Sequence, residues 1–84
     1  MTIEIKMPAL RPEMESAVLC EWKVKVGDQV KSGDILFEIE TDKVVNQIEA
    51  AADMKIVELC AEEGDEVPVN TVVARAEVNE YTVE

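Results

Sequence analysis

Residues 18–37 read Val-Leu-Cys-Glu-Trp-Lys-Val-Lys-Val-Gly-Asp-Gln-Val-Lys-Ser-Gly-Asp-Ile-Leu-Phe. The same skeleton returns at 55–74 as Lys-Ile-Val-Glu-Leu-Cys-Ala-Glu-Glu-Gly-Asp-Glu-Val-Pro-Val-Asn-Thr-Val-Val-Ala. Gly27-Asp28 falls on Gly64-Asp65, Val30 on Val67, Ile35-Leu36 on Val72-Val73, Leu19 on Ile56, and Trp22 on Leu59. Each copy reads as strand, Gly-Asp turn, short strand, turn, strand. Two copies are too few to stack as a solenoid. They can close on each other as two small antiparallel sheets, each covering the apolar face of the other. The expected fold is therefore all-β with an internal pseudo-two-fold.

Outward from the repeat, Ile3, Ile5 and Met7 alternate with Glu4 and Lys6 as a half-buried strand that Pro8 ends. Pro8 to Ser16 carries two prolines and no period, so it is a loop. Its apolar Leu10 and Met14 are expected to tuck against the barrel. Val18, Cys20, Trp22, Val24 and Val26 alternate with Leu19, Glu21, Lys23 and Lys25, the longest period-2 run in the chain. This predicts an inward stripe anchored by Trp22, with Lys23 and Lys25 on a solvated face. Between the copies, Ile35-Leu36-Phe37 with Ile39, and then Val44, Val45 and Ile48, form the arms of a hairpin reaching about Ala50. Met54–Ala61 is a further strand, Val67-Pro68-Val69 a short edge strand, and Val72–Val78 the last strand. The domain is expected to begin at or near Met1 and to run through residue 79, leaving 80–84 as a tail or the start of a linker. Pseudo-symmetry puts the central hairpin at one end and both termini at the other.

The tip of that hairpin is Glu40-Thr41-Asp42-Lys43-Val44. Two-residue hairpins favour Asn-Gly, Asp-Gly or Gly-X because their twist demands positive φ. Asp-Lys supplies no glycine. A local rule broken at a tip points to function rather than folding. The residue at stake is Lys43, whose stem would stand clear of the protein. By spacing alone the ordinary solvated turn lysine is the favoured reading. Lys6 and Lys55 lie within strands, and Lys31 sits in a turn away from the centre of the repeat.

Composition narrows the chemistry. The 84-residue chain has a net charge of −11 and no histidine. A polyanion repels phosphate backbones, so nucleic acid is a poor partner, and partners should present basic surfaces with salt-sensitive steering. Zinc sites and Ser-His-Asp catalysis lack their residues. No run approaches the roughly 20 apolar residues of a membrane-spanning helix, and Met1–Lys6 lacks the apolar core of a signal peptide. Cys20 and Cys60 have no CxxC spacing. Cys20, on the apolar stripe, reads as a buried free thiol, while the pairing of the two is open.

Several stretches share one further property. Met7-Pro8-Ala9-Leu10, the Trp22-Lys23-Val24-Lys25-Val26-Gly27-Asp28-Gln29-Val30 segment, Glu38-Ile39-Glu40-Thr41-Asp42-Lys43, and Glu63-Gly64-Asp65-Glu66-Val67 with Val69 together resemble the lipoyl domains of 2-oxo acid dehydrogenase complexes, within the wider biotinyl/lipoyl-carrier family. The likeness covers about Ile3 to Val78. Met54, Asn70, Arg11 and Ala17 stand where glycine is frequent in that family. Asn70 tolerates positive φ, whereas Met54 leaves the bend after Asp53 open. The resemblance implies a flattened β-barrel, a barrel-sandwich hybrid of two four-stranded antiparallel sheets. It also implies lipoic acid in amide linkage on Lys43, with Asp42 and Val44 as flanking recognition residues and Glu40 and Thr41 completing the motif. Such a domain is a carrier without its own active site, excised from or part of a dihydrolipoamide acyltransferase (E2) chain. Its implied partners are a lipoate-protein ligase or lipoyl transferase, a thiamine-diphosphate 2-oxo acid decarboxylase (E1), the acyltransferase core and the flavin dehydrogenase E3. The setting would be bacterial cytoplasm or mitochondrial matrix. The Pro8, Ala9, Leu10, Arg11, Pro12, Glu13, Met14, Glu15 loop is expected to lie beside Lys43 and to choose the decarboxylase, with Arg11 a rare positive charge there.

Two other readings compete. A biotinyl domain typically has methionines on both sides of its lysine, whereas Asp42 and Val44 stand here. An unmodified barrel could instead act as a protein-interaction module.

Overall fold

The computed structural model describes residues 1–78, which form eight strands: β1 Thr2–Lys6, β2 Ser16–Trp22, β3 Gln29–Val30, β4 Ile35–Thr41, β5 Val44–Glu49, β6 Met54–Leu59, β7 Glu66–Pro68 and β8 Val72–Val78. They make two four-stranded antiparallel sheets with orders β1-β8-β6-β3 and β5-β4-β2-β7. A shift of one half onto the other sends β2 to β6, β3 to β7 and β4 to β8, so the orders are images of each other. The expected all-β double sheet is what the chain forms. The tail proposed for 80–84, with Asn79, lies outside the described residues.

The halves are joined reciprocally. Gly27 N donates to Ile56 O at 2.7 Å and Ile56 N to Asp28 O at 2.9 Å. In the image, Gly64 N donates to Leu19 O at 2.7 Å and Leu19 N to Asp65 O at 2.8 Å. Each Gly-Asp turn is thus pinned to the strand of the other half. Asp28 Oδ2 accepts from Lys25 N at 2.9 Å and Asp65 Oδ2 from Glu62 N at 3.0 Å, the local bonding for which Asp is favoured in turns. Gly27 and Gly64 hold φ of +97° and +94°, a region that other L-residues enter only at a cost.

Leu19 and Ile56, which receive these bonds, are fully buried. Immediately after each, the register slips: Leu19 faces Ile39 and Glu21 faces Glu38, while Ile56 faces Ala76 and Glu58 faces Arg75. Cys20 and Val57 are the extra residues of two equivalent β-bulges. The bulge corrects the reading of 18–26 as one alternating stripe. Ala17 and Leu19 point inward before it, and Val24 after it, with Trp22 half-buried. Val26 lies outside and is exposed. Cys20 is half-buried rather than buried, Cys60 is exposed, and both are free thiols.

Inside, the two-fold is broken by a trade in volume. Phe37 and Ile39 of β4 occupy the places that Ala74 and Ala76 take on β8, and all four are fully buried. Large side chains on one sheet fill what small ones leave on the other, as close packing requires. Trp22 sits across from Phe37, ring centroids 5.1 Å apart at 57°, and its Nε1 donates to Ala61 O at 2.9 Å. It is a half-buried lid on the core rather than its centre. Met54 opens β6 with its side chain buried, so glycine is not needed for the bend there. Asn70 takes φ +74°, matching Gly33 at +94° in the other half. Pro68 lies in the outer strand β7, which pairs only with β2.

A Cβ built on Gly27 or Gly64 meets no atom within 4 Å, so substitution there costs backbone strain alone. Gly27→Ala and Gly64→Ala should each destabilise by about 1–2 kcal/mol, whereas Gly64→Asn should cost less. Urea unfolding of the variants checks this. An alanine variant as stable as wild type would mean that the left-handed turn is not required.

Candidate functional site at the hairpin tip

β4 and β5 pair to the last residue before the turn, Thr41 opposite Val44, leaving only Asp42 and Lys43 to reverse the chain. Both have positive φ, +53° and +66°, the signature of the type I′ turn that matches strand twist. Asp tolerates this conformation because its short side chain bonds locally, whereas lysine has no such compensation. The strain falls on the exposed Lys43. Its ammonium makes no ion pair or hydrogen bond with any other described residue. An uncommitted primary amine on an exposed two-residue turn is open to an enzyme that must reach its nitrogen.

The long loop does come to the tip. Its anchor is Met14, buried in the core, with Leu10 N 3.4 Å from Met14 Sδ and Met14 N donating to Arg11 O at 3.1 Å. Val69 N fixes the far end by donating to Glu15 O at 2.9 Å. The near end is held by Arg11. Its Nη2 pairs with Asp42 and lies 3.4 Å from Thr41 Oγ1, and its Nε lies 3.4 Å from Glu13. Arg11, expected as a positive charge for partners, is turned onto the carboxylates of its own chain. Of the two apolar loop residues expected to tuck in, only Met14 does. Leu10 is 43% exposed and, with Arg11, Thr41, Val44 and Asn46, lines a shallow depression beside Lys43.

The site residues named from sequence therefore separate. Asp42, Lys43, Thr41, Val44, Leu10, Arg11 and Glu13 meet at one end. Met14 is structural, and Glu15 serves through its carbonyl. Glu40 is exposed on β4 and touches none of these groups in the hydrogen bonds and ion pairs described above. Asn46 and Val45 were not foreseen. Val44 and Val45 are 56% and 55% exposed, so with Leu10 the tip is the apolar end of a very acidic protein. The connection equivalent to the long loop is residues 50–53, between β5 and β6.

Behind the tip, on β2, burial pushes the Cys20 thiol above its usual range, and the charges of Glu40 and Glu38 push it the same way. Cys20 therefore stays protonated and is a poor nucleophile at neutral pH.

The family model described as "Biotin-requiring enzyme" (biotin/lipoyl) matches residues 3–75. The dihydrolipoyllysine-residue acetyltransferase component of the pyruvate dehydrogenase complex of Zymomonas mobilis is 48% identical over 75 residues, which is 88% of this chain and 17% of that protein. The pyruvate dehydrogenase E1 component subunit beta of Rhizobium meliloti is 47% identical over 88% of this chain and 16% of its own length. The chain thus spans about a sixth of these curated relatives. The solution structure of the lipoyl domain of the 2-oxoglutarate dehydrogenase complex from Azotobacter vinelandii is 33% identical, with a TM-score of 0.75, over 92% of this chain and 99% of that one. A long-chain acyl-CoA carboxylase gives a TM-score of 0.81 at 13% identity, which is a likeness of fold alone. With nearly its whole length matched by the family model and a complete lipoyl domain aligned end to end, this chain belongs to the biotin/lipoyl family and is one of its lipoyl domains.

Proposed function

We propose that Lys43 carries lipoic acid in amide linkage on Nζ. The domain is then a swinging-arm carrier moving acyl groups and reducing equivalents between the active sites of a 2-oxo acid dehydrogenase complex. The observation that supports this most directly is the uncommitted, exposed lysine held at φ +66° on the apex of the hairpin. When bound, the cofactor supplies a dithiolane that is reductively acylated and later reoxidised. The protein contributes position and presentation. The tip leaves the amine without an ion pair or hydrogen bond to another described residue, and the sheets behind it are pinned to each other by the reciprocal turn bonds. A tethered carrier turns encounters between separate enzymes into effectively intramolecular ones.

The partners that follow are a lipoate-protein ligase or lipoyl transferase, a thiamine-diphosphate decarboxylase, an acyltransferase core and a dihydrolipoamide dehydrogenase, in bacterial cytoplasm or mitochondrial matrix. The parent chain would be a dihydrolipoamide acyltransferase, as the name of the Zymomonas relative suggests. Asp42 and Val44 flank the lysine for the ligase, and the 8–15 loop is read by the decarboxylase. Both assignments draw support from the loop's place beside the turn.

Lys43→Gln should abolish lipoylation by ligase, read by intact mass, and leave the urea midpoint unchanged, because an exposed tip contributes little stability. Lys43→Gly should abolish it too, yet add about 1 kcal/mol of stability by relieving the left-handed strain. A Lys43→Gln chain that still gains the lipoyl mass would move the attachment elsewhere.

The biotinyl alternative is tested by the double change Asp42→Met and Val44→Met. Lipoylation should slow and some biotin should enter on incubation with biotin ligase. Unaltered lipoylation without biotin uptake would leave the placement of the hairpin, rather than its flanking residues, as the recognition signal.

A further inference from the structure

We infer that Arg11 is a specificity-determining positioning residue. By bridging Asp42 and Thr41 of the turn to Glu13 of its own loop, it locks the 8–15 loop and the Lys43 turn into a single surface for the enzyme that acylates the arm. The inference rests on the proposed attachment at Lys43 and goes beyond it by naming the link that fixes the geometry.

The loop has two strong anchors, buried Met14 and the Val69–Glu15 backbone bond, but both lie at its C-terminal end. Among the described residues, the hydrogen bonds and ion pairs that join 8–13 to the turn come from one guanidinium. Nη2 reaches Asp42 and Thr41, and Nε reaches Glu13 at 3.4 Å. A planar fork offers its donors in fixed, separated directions toward these three acceptors, and a lysine ammonium, a point charge on a flexible stem, does not reproduce that geometry. The bridge also alters what a partner meets. Asp42, next to the lysine, is charge-paired instead of bare. Leu10 and Val44 both line the depression, which makes an apolar footing with part of its negative charge compensated on a domain of net charge −11. Without Arg11, the outer loop loses its hold on the turn and Asp42 becomes one more uncompensated carboxylate.

The side chains are partly exposed, 42% for Arg11 and 68% for Asp42. Such bridges are weak and screened by salt. The expected effect is accordingly small, a few-fold, and it should disappear at high ionic strength.

The test compares wild-type, Arg11→Gln and Arg11→Lys chains. Backbone 15N order parameters are measured first on the unlipoylated proteins. Residues 9, 10, 11 and 13 should be ordered in wild type and looser in both variants, with circular dichroism and thermal midpoints unchanged. The lipoylated proteins are then acylated by the decarboxylase of the parent complex. Arg11→Gln should raise KM about threefold with kcat held. Arg11→Lys should recover less than half of that loss. The variant-to-wild-type ratio of KM should fall toward one at high salt. Arg11→Gln makes the chain one charge more negative than the −11 of wild type, whereas Arg11→Lys keeps that charge, so the lysine variant separates loss of the bridge from altered charge steering. Equal order parameters, equal KM, full rescue by lysine, or a ratio indifferent to salt would each overturn the inference. The order parameters need no cofactor, and the intact mass of wild type reports on Lys43 by itself, so failure of the bridge and failure of the attachment site are distinguishable.

Discussion

Everything in this domain hangs on two pairs of backbone hydrogen bonds that cross between its halves. Gly27 and Asp28 close onto Ile56, and Gly64 and Asp65 onto Leu19. These bonds hold the first half's turn to the second half's strand and the reverse, so neither half forms its contacts alone. They also fall on the two deepest aliphatic side chains of β2 and β6, both fully buried, so polar pairing and apolar burial strengthen each other at one place. Leu19 and Ile56 stay paired with Ile39 and Ala76 in their own sheets while their N–H and C=O groups bond the turn of the other half, and a bulge follows directly after each. A small domain has little core to spare. This arrangement uses the core's centre to fix the relative position of the sheets, and it leaves the ends free for other work.

The proposed function sits where the two-fold is broken. The Asp42-Lys43 turn has as its image the place where β8 ends and β1 begins, joined across the sheet by Thr2 opposite Glu77. One end of the molecule is therefore a closed turn, and at the other β1 and β8 lie paired without a turn between them. The loops break the symmetry a second time, 8–15 against 50–53, and the longer one lies beside the turn. Both departures thus meet at the same end, although folding needs neither the extra length nor a lysine at positive φ. A site that retains strain and an unneeded loop is under demands other than stability.

What could be read in the sequence is what repeats. The doubled Gly-Asp turns, the eight strands and the hairpin apex were legible because each has a side-chain signature recurring at fixed separation. The phase of β2 was not. A bulge at Cys20 changes which face each later residue takes, yet neither Cys20 nor its counterpart Val57 is a residue type that announces a bulge. Leu19 was placed on the outer face for that reason, and it is among the most buried residues in the chain. The tip was legible as an anomaly, since Asp-Lys stands where glycine is favoured, but the type of turn needed coordinates. Arg11 was visible as a charge and its direction was not, because an acidic chain offers many carboxylates and only the folded loop selects Asp42 and Glu13.

The weakness of the tip's own interactions fits a carrier better than a tight binder. A carrier that serves several enzymes in turn must leave each one, so recognition has to come from a small patch of modest affinity. In the proposed recognition the patch is formed by two exposed aliphatic side chains, Leu10 and Val44, beside a paired Arg11–Asp42 bridge, on a body whose negative charge attracts basic surfaces over distances of about a Debye length. Long-range charge favours encounter with many partners and discriminates little. Short-range shape at the tip discriminates but adds little affinity. Dividing the tasks this way allows fast arrival and fast departure. Local concentration through tethering then makes up the affinity that the patch lacks, and the rigid pinned sheets ensure that the patch meets every partner in the same geometry.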